Sequence, residues 1–156
     1  MRAWIGLGAN LGNAQATLTA ALAELARLPD STLGAVSSIW RSAPIDSSGP
    51  DYLNAVACLE TRLDAHALLS ALQRIEHGHG RERPYRNAPR TLDLDLLLHG
   101  DAVIVSPDLV VPHPRLHERA FVLQPLAELA PELVIPGVGR VGDLLAAVAG
   151  QRIDKL

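Results

Sequence analysis

Residues 91–99 read Thr91-Leu92-Asp93-Leu94-Asp95-Leu96-Leu97-Leu98-His99. Apolar and acidic residues alternate through most of this stretch, which is the period of a β-strand with unlike faces. Leu92, Leu94, Leu96 and Leu98 then share the core face. Asp93 and Asp95 share the opposite face, with Cα atoms about 6.5–7 Å apart.

Working back from this strand, residues 78–89 are polar, carry Gly and Arg, and show no period, so an exposed loop is expected there. Residues 65–77 place Leu68, Leu69, Leu72 and Ile75 at helical spacing. Residues 52–62 alternate as a strand, and residues 43–51, with Pro44, Pro50 and Gly49, form a loop. Residues 35–42 are rich in Ser, Val and Ile and are expected to be a strand. Residues 15–28 are expected to be a helix on Leu18, Ala21, Leu22, Leu25 and Leu28, closed by Pro29. Residues 2–8 form the first strand. Beyond the acidic strand, helices are expected over 118–129 and 141–149. The order β-α-β-β-α-β over residues 1–99 predicts an α+β domain with helices packed on an antiparallel sheet. That arrangement serves metal carriers, regulatory modules and enzymes alike, so function must come from the site.

Composition narrows the classes. The chain has 156 residues, enough for a single domain over 1–156. With 48% hydrophobic and 20% charged residues it is a globular sequence rather than a disordered one. A net charge of -3 gives no basic surface to track nucleic acid. The lone Cys58 excludes an internal disulfide framework and fits a reducing compartment. Apolar runs such as 144–149 fall far short of the roughly 20 residues of a membrane helix. Gly6, Gly8, Asn10 and Gly12 interrupt any apolar leader. A cytoplasmic protein with no membrane or nucleic-acid partner is expected.

The chemistry concentrates around the acidic strand. Arg74, Arg81, Arg83, Arg86 and Arg90 precede Asp93 and Asp95 at close intervals. Guanidinium groups offer planar donor forks suited to phosphate oxygens. Two carboxylates on one strand face repel unless a cation lies beside them. Mg²⁺ suits such a pair, because it takes hard oxygen ligands and shares its shell with substrate phosphates. The plainer alternative is a solvated face whose acids pair with Arg90 or another Arg. The arginine-dense loop directly before the strand favours nucleotide triphosphate chemistry.

Other motifs are weaker. Gly6-Leu7-Gly8-Ala9-Asn10-Leu11-Gly12 has its third glycine one residue late for a dinucleotide fingerprint, and its context is not a βαβ crossover. These glycines fit a tight turn and close backbone packing beside a ligand. No phosphate-loop lysine exists, since the single Lys is Lys155. His77, His79, His113 and His117 lack the spacing of a zinc site, and His113 is better used beside an anionic ligand. Tyr52 and Phe121 are placed to sandwich a flat heterocycle, with Asn54 offering an amide two residues from Tyr52. Partial burial at the core's rim is the plainer reading of each ring alone.

Taken together these segments resemble the 6-hydroxymethyl-7,8-dihydropterin pyrophosphokinase family over nearly the whole chain. The resemblance is carried by the glycine cluster, Val36-Ser-Ser-Ile-Trp-Arg-Ser-Ala-Pro44, Pro50-Asp-Tyr-Leu-Asn-Ala-Val56 and Leu72-Gln-Arg-Ile-Glu76. It continues through Gly80-Arg-Glu-Arg83, the signature stretch Arg86 to Leu97, Val111-Pro-His-Pro114 and Arg119-Ala-Phe121. The resemblance implies a ferredoxin-like βαββαβ fold, ATP as co-substrate and two Mg²⁺ ions. It also implies transfer of the terminal diphosphate of ATP to the pterin hydroxymethyl oxygen, with release of AMP, by a monomer.

Carried onto this sequence, Asp93 and Asp95 match the metal-binding acids. Arg81 and Arg90 match arginines that contact the phosphates and support transfer, and Arg83 lies in the same loop. Gln73, Glu76, the backbone near Leu96, His113 and Arg119 match the ATP site. Ser42, Ala43, Pro44, Ile45, Tyr52, Asn54 and Phe121 match the pterin pocket. Loops at 9–13, 43–51 and 78–89 correspond to three that close over the reactants. The chain departs from some members at Asn87, where they carry Trp and where Tyr85 is the aromatic at hand, and at Asp108, near an ATP-contacting Arg of others. Two rivals stay open at this stage: a nucleotide-binding regulatory module on the same fold, and a kinase that passes only the γ-phosphate.

Overall fold

The computed structural model describes residues 1–10, 12–43, 51–79 and 92–156. Its frame is one antiparallel sheet. Strands β1 (Arg2–Ala9), β4 (Tyr52–Thr61) and β5 (Asp93–His99) form its centre and one edge, with β1 between the other two. On the far side of β4 lie β2 (Ser31–Val36) and β3 (Trp40–Ser42), one after the other. Helices α1 (Ala14–Ala26) and α2 (Ala65–Gly78) provide the two crossovers. This is the ferredoxin-like βαββαβ arrangement expected from the residue order.

Both helices have the start signals that their sequences carry. The Asn13 side chain accepts the Ala16 N–H at 3.1 Å, and the Asp64 carboxylate accepts that of Ala67 at 2.7 Å. Leu18, Ala21 and Leu25 of α1 and Leu68, Leu72 and Ile75 of α2 bury against Ala3, Ile5, Leu7, Leu94 and Leu96. The opposite sheet face carries Trp4, Val56, Cys58, Leu97 and Leu98, covered by Val122, Leu123 and Leu126 of α3 (Ala120–Leu129). Each fully buried leucine contributes about 1.5–3 kcal/mol, so both layers matter to stability.

The structure corrects four expectations. The strand expected over 35–42 is two strands, β2 and β3, separated by Ser37–Ile39. Here the Ser37 side chain takes over one of the two ladder bonds: its backbone N–H donates to the Val56 carbonyl at 2.9 Å, but its Oγ rather than its carbonyl accepts the Val56 N–H at 2.9 Å. Leu98 does not share the face of Leu92, Leu94 and Leu96. The pairing shifts between Ile5↔Leu96 and Trp4↔Leu98, a bulge that turns Leu97 and Leu98 together into the α3 layer. His99 then lies on the helix side, where its ring Nε2 donates to the Leu63 carbonyl at 2.9 Å.

The helix expected over 118–129 is a 3₁₀ turn at Leu116–Glu118, an extended Arg119 and then α3. The helix expected over 141–149 is a short α4 (Val141–Leu144) running into a 3₁₀ turn at Leu145–Val148.

Five short strands carried too little sequence to read. They are the hairpin β6 (Ile104–Val105) and β7 (Val110–Val111), the hairpin β8 (Val134–Ile135) and β9 (Gly139–Arg140), and β10 (Ile153–Lys155). The last adds to the sheet edge through Ile153↔Ser42 and Lys155↔Trp40. No helix is long and apolar enough to cross a membrane among the described residues.

Candidate active site

Gly6 and Gly8 lie inside β1, with the bare backbone of two successive even positions facing away from α1 and α2. Only Gly12, with φ +62°, meets the expectation of a turn glycine. Gly8 is paired with Asn54 on one side and Asp93 on the other; Gly6 is paired with Val56 and Asp95. Cross-strand partners share a face, so both carboxylates, Asn54 and the two glycines look the same way. Tyr52 and Ser42, paired with each other, extend that face across the sheet.

At the start of α3, this face opens into a cavity of about 190 Å³. Gly6, Gly8 and Leu7 form its floor, Asp93 and Asp95 one side, and Ser42, Ala43, Tyr52 and Asn54 the other. Arg119, Phe121 and Val122 from the start of α3 form the roof. The volume exists because side chains are missing: a Cβ on Gly8 would stand 3.5 Å from Asn54 Oδ1, and one on Gly6 would stand 3.4 Å from a Leu97 methyl.

Several polar groups are held in place. Asn54 is 4% exposed, and its Nδ2 donates to Ser42 Oγ at 2.8 Å. The Arg119 guanidinium carbon lies 5.4 Å from the Phe121 ring centroid, a cation–π contact that ties the two roof residues together. Glu76 of α2 is buried, and its Oε2 accepts the Leu94 N–H at 2.8 Å on the outer edge of β5. Hydrogen-bonding directions repeat every second residue along a strand, so the Leu96 backbone also faces outward there. One residue on, the Leu97 carbonyl accepts the His113 N–H at 2.9 Å.

His113 Nδ1 accepts the Arg115 N–H at 3.3 Å, which assigns the ring proton to Nε2. Burial pushes the His113 pKa below its ordinary value. The nearby Asp95 carboxylate opposes that shift, while Arg119 and Arg115 reinforce it. The ring is therefore a neutral donor at neutral pH.

Asp93, Asp95, Ser42, Ala43, Tyr52, Asn54, Arg119 and Phe121 thus come together from distant parts of the sequence. Glu76 and His113 reach the neighbouring edge of β5, and Gln73 is exposed on α2. Arg81, Arg83, Arg90, Pro44 and Ile45, with Tyr85 and Asn87, lie outside the described residues. Asp108 accepts Ser106 Oγ at 2.9 Å and lies 3.4 Å from His66 Nε2. Sequence reasoning set Gly6 and Gly8 beside a ligand but in a tight turn; the structure puts them inside β1, and glycine at every second position opposite Ile5, Leu7 and Ala9 was the signal for a strand. Sequence reasoning missed Ala55 and Val122, which carry no chemical signature.

Among the described residues, no three His, Cys, Asp or Glu side chains gather as a metal cage. Two carboxylates above a floor without side chains suit a hard cation that draws its remaining ligands from phosphate and water. The donor set therefore fits Mg²⁺ shared with a nucleotide.

The chain is similar to known proteins over nearly its whole length. The chain is 44% identical over 156 residues to the 2-amino-4-hydroxy-6-hydroxymethyldihydropteridine pyrophosphokinase of Pseudomonas aeruginosa, covering 99% of this chain and 96% of that protein. It is 42% identical over 155 residues to the protein of the same name from Haemophilus influenzae, covering 99% and 97%. A crystal structure of the Plasmodium falciparum HPPK-DHPS wild type superposes with a TM-score of 0.75 at 14% identity, covering 93% of this chain. The chain spans 42% of that longer protein, and this likeness speaks to the fold alone. Residues 4–131 match the family model described as 7,8-dihydro-6-hydroxymethylpterin-pyrophosphokinase, and the chain belongs to that family.

Proposed function

We propose that the cavity over Gly6 and Gly8 is where this pyrophosphokinase takes its pterin, and that Asp93 and Asp95 carry the metal-bound triphosphate of ATP at its rim. The chain is an ATP-dependent diphosphotransferase of folate biosynthesis, acting on 6-hydroxymethyl-7,8-dihydropterin. The observation that carries the site reading is the pairing of both carboxylates with side-chain-free positions on β1, directly beside a cavity with two aromatic rings.

A flat bicyclic ring fits between Tyr52 and Phe121, since both faces of such a ring favour aromatic stacking. The Asn54 amide, oriented by Ser42 Oγ, supplies a donor and an acceptor to its edge. ATP then lies along the outer edge of β5. The Leu96 backbone offers a donor and an acceptor to the adenine edge, with Gln73 beside it. The His113 Nε2–H and the guanidinium of Arg119 contact phosphate oxygens. Glu76 acts through the strand, by fixing Leu94 between the two acids.

Asp93 and Asp95 would hold magnesium, two ions in this reading, which when bound would supply charge neutralisation on the triphosphate. The hydroxymethyl oxygen forms a bond to the β-phosphorus and gives up its proton to solvent, the bond from that phosphorus to the α-phosphate oxygen breaks, and AMP leaves with the electron pair. Arg81 and Arg90 are proposed to hold the charge that develops on transfer, with Arg83 in support. A loose transition state asks little early deprotonation, which suits a site with no strong general base among the described residues.

The protein is proposed to act as a single domain over 1–156, a cytoplasmic monomer with no nucleic-acid or membrane partner. The test is product analysis with ATP, Mg²⁺ and 6-hydroxymethyl-7,8-dihydropterin, resolving AMP from ADP. Pterin-dependent AMP is expected. ADP would indicate γ-phosphate transfer, and nucleotide binding without either product would indicate a regulatory module.

A further inference from the structure

Arg119 and Phe121 form the roof of the cavity, yet the helix that begins between them has no cap of its own. Arg119 precedes α3 in an extended conformation (φ -125°, ψ 117°), and its side chain makes no capping hydrogen bond. The first N–H groups of a helix need an acceptor from elsewhere. At Ala120 that acceptor comes from thirty-one residues away in sequence: Gln151 Oε1 accepts the Ala120 N–H at 2.9 Å. The same amide donates from Nε2 to the Glu118 carbonyl at 2.7 Å.

One side-chain amide therefore grips the backbone on both sides of Arg119, as a neighbouring strand would grip an extended residue. The grip sets the direction in which the Arg119 side chain leaves the backbone. Through the first turn of α3 it also sets where the Phe121 ring lies. Gln151 is itself anchored, because β10 begins two residues later and pairs Ile153 with Ser42, on the opposite wall of the cavity. Leu156 extends the anchor by donating its N–H to the Ile39 carbonyl at 2.9 Å. Gln151, Ser42, Ala43 and Phe121 also line a second cavity, of about 340 Å³, directly behind the roof. The roof therefore has open space on one side, and this contact fixes the backbone at Arg119 where the packing of Ala120 and Val122 in the α3 layer begins.

We propose that Gln151 is a positioning residue for pyrophosphoryl transfer, holding Phe121 over the pterin and Arg119 toward the triphosphate. It lies twenty residues beyond the stretch that matches the family model. The inference rests on the assignment of the cavity as the pterin site. Its action is indirect: the amide touches no substrate and works only through the backbone on either side of Arg119.

Gln151→Met keeps the length and removes both bonds. Gln151→Glu keeps the acceptor for Ala120 and loses the donor to Glu118. A sub-ångström shift of the roof is expected to raise the KM for 6-hydroxymethyl-7,8-dihydropterin about tenfold in the Met variant, with a smaller fall in kcat. The Glu variant should fall between it and the wild type. Leu25→Val, in the core on the far face of the sheet, serves as a control for stability: a lower Tm with an unchanged KM is expected. Wild-type KM in both Gln151 variants would overturn the proposal, as would an equal rise in Leu25→Val. Asp95→Asn measured alongside keeps the two readings apart. Full activity in that variant removes the site assignment, whereas its inactivity beside a normal Gln151→Met removes only the role of Gln151.

Discussion

Gly8→Ala should push stability and substrate binding in opposite directions, and the structure sets the size of both effects. Gly8 has no positive φ, so alanine fits the strand backbone without strain. Its added Cβ would lie 3.5 Å from Asn54 Oδ1 and 4.0 Å from Tyr52 Cδ1, ordinary contact distances that displace nothing. Replacing glycine where the conformation is compatible restricts the unfolded chain and stabilises by about 0.4–1 kcal/mol. For a chain of this size that corresponds to a Tm increase of roughly 1–4 °C.

The same methyl occupies the floor of a cavity of about 190 Å³, where a stacked ring would rest on the sheet. Overpacking by one carbon typically costs about 1–3 kcal/mol, or roughly 5- to 150-fold in affinity. The assay pairs thermal unfolding with calorimetric titration of 6-hydroxymethylpterin in the presence of a non-hydrolysable ATP analogue. A variant that binds normally would refute the cavity as the pterin site. A variant that unfolds earlier would refute the geometry assigned to β1. Gly34→Ala is the natural contrast, since its Cβ would meet the Cys58 carbonyl oxygen at 3.3 Å on the far side of β4 from the cavity floor. It should lose stability and leave binding unchanged.

Asp93→Asn and Asp95→Asn should each lower turnover by at least about 100-fold and weaken Mn²⁺ binding read by electron paramagnetic resonance; undiminished Mn²⁺ binding in both would remove the metal assignment. Glu76→Ala leaves the Leu94 N–H without its carboxylate acceptor at the strand edge, for about 1–3 kcal/mol in urea denaturation. Burial of the Glu128 carboxylate works to raise its pKa, but hydrogen bonds from Ser38 and from Trp40, with Lys155 nearby, outweigh it and hold the pKa below the ordinary value. Its contribution is therefore present above the unfolded carboxylate range and is lost as pH falls through the lower, folded value. Discounted for exposure, Glu128→Gln should cost about 1 kcal/mol at pH 7, and its Tm should converge on that of the wild type in acid; a constant gap would contradict this.

Much of the fold was legible because period and punctuation agree along the first ninety-nine residues. Leu68, Leu72 and Ile75 mark one helix face, and Pro29 marks a helix end. What escaped reading depended on partners remote in sequence. Ser37 breaks a strand only because Val56 is opposite it, and Leu98 changes face only because β1 pairs out of step. Arg119 stays extended with Gln151 bonded on either side of it.

The same division holds at the site. Asp93, Asp95, Tyr52, Asn54 and Phe121 could be singled out because their side chains are chemically loud. Gly6 and Gly8 could be read only as glycines packed beside a ligand, since they act by lacking a side chain, and the register against β4 and β5 gives that absence a location. Gln151 carried no motif at all, because its role comes from where β10 leaves it.

The bulge at Leu97 divides β5 into two stretches that run out of phase by one residue. Uninterrupted alternation would send Leu97 and His99 to the side of the acids and return Leu98 to the helices. The extra residue instead lets Leu97 and Leu98 seal the α3 layer while His99 crosses to its carbonyl partner. The phase of the acids is thereby uncoupled from packing at the other end of the strand. Drift in the sequence of that far end can be absorbed at the bulge, and the two carboxylates keep their aim.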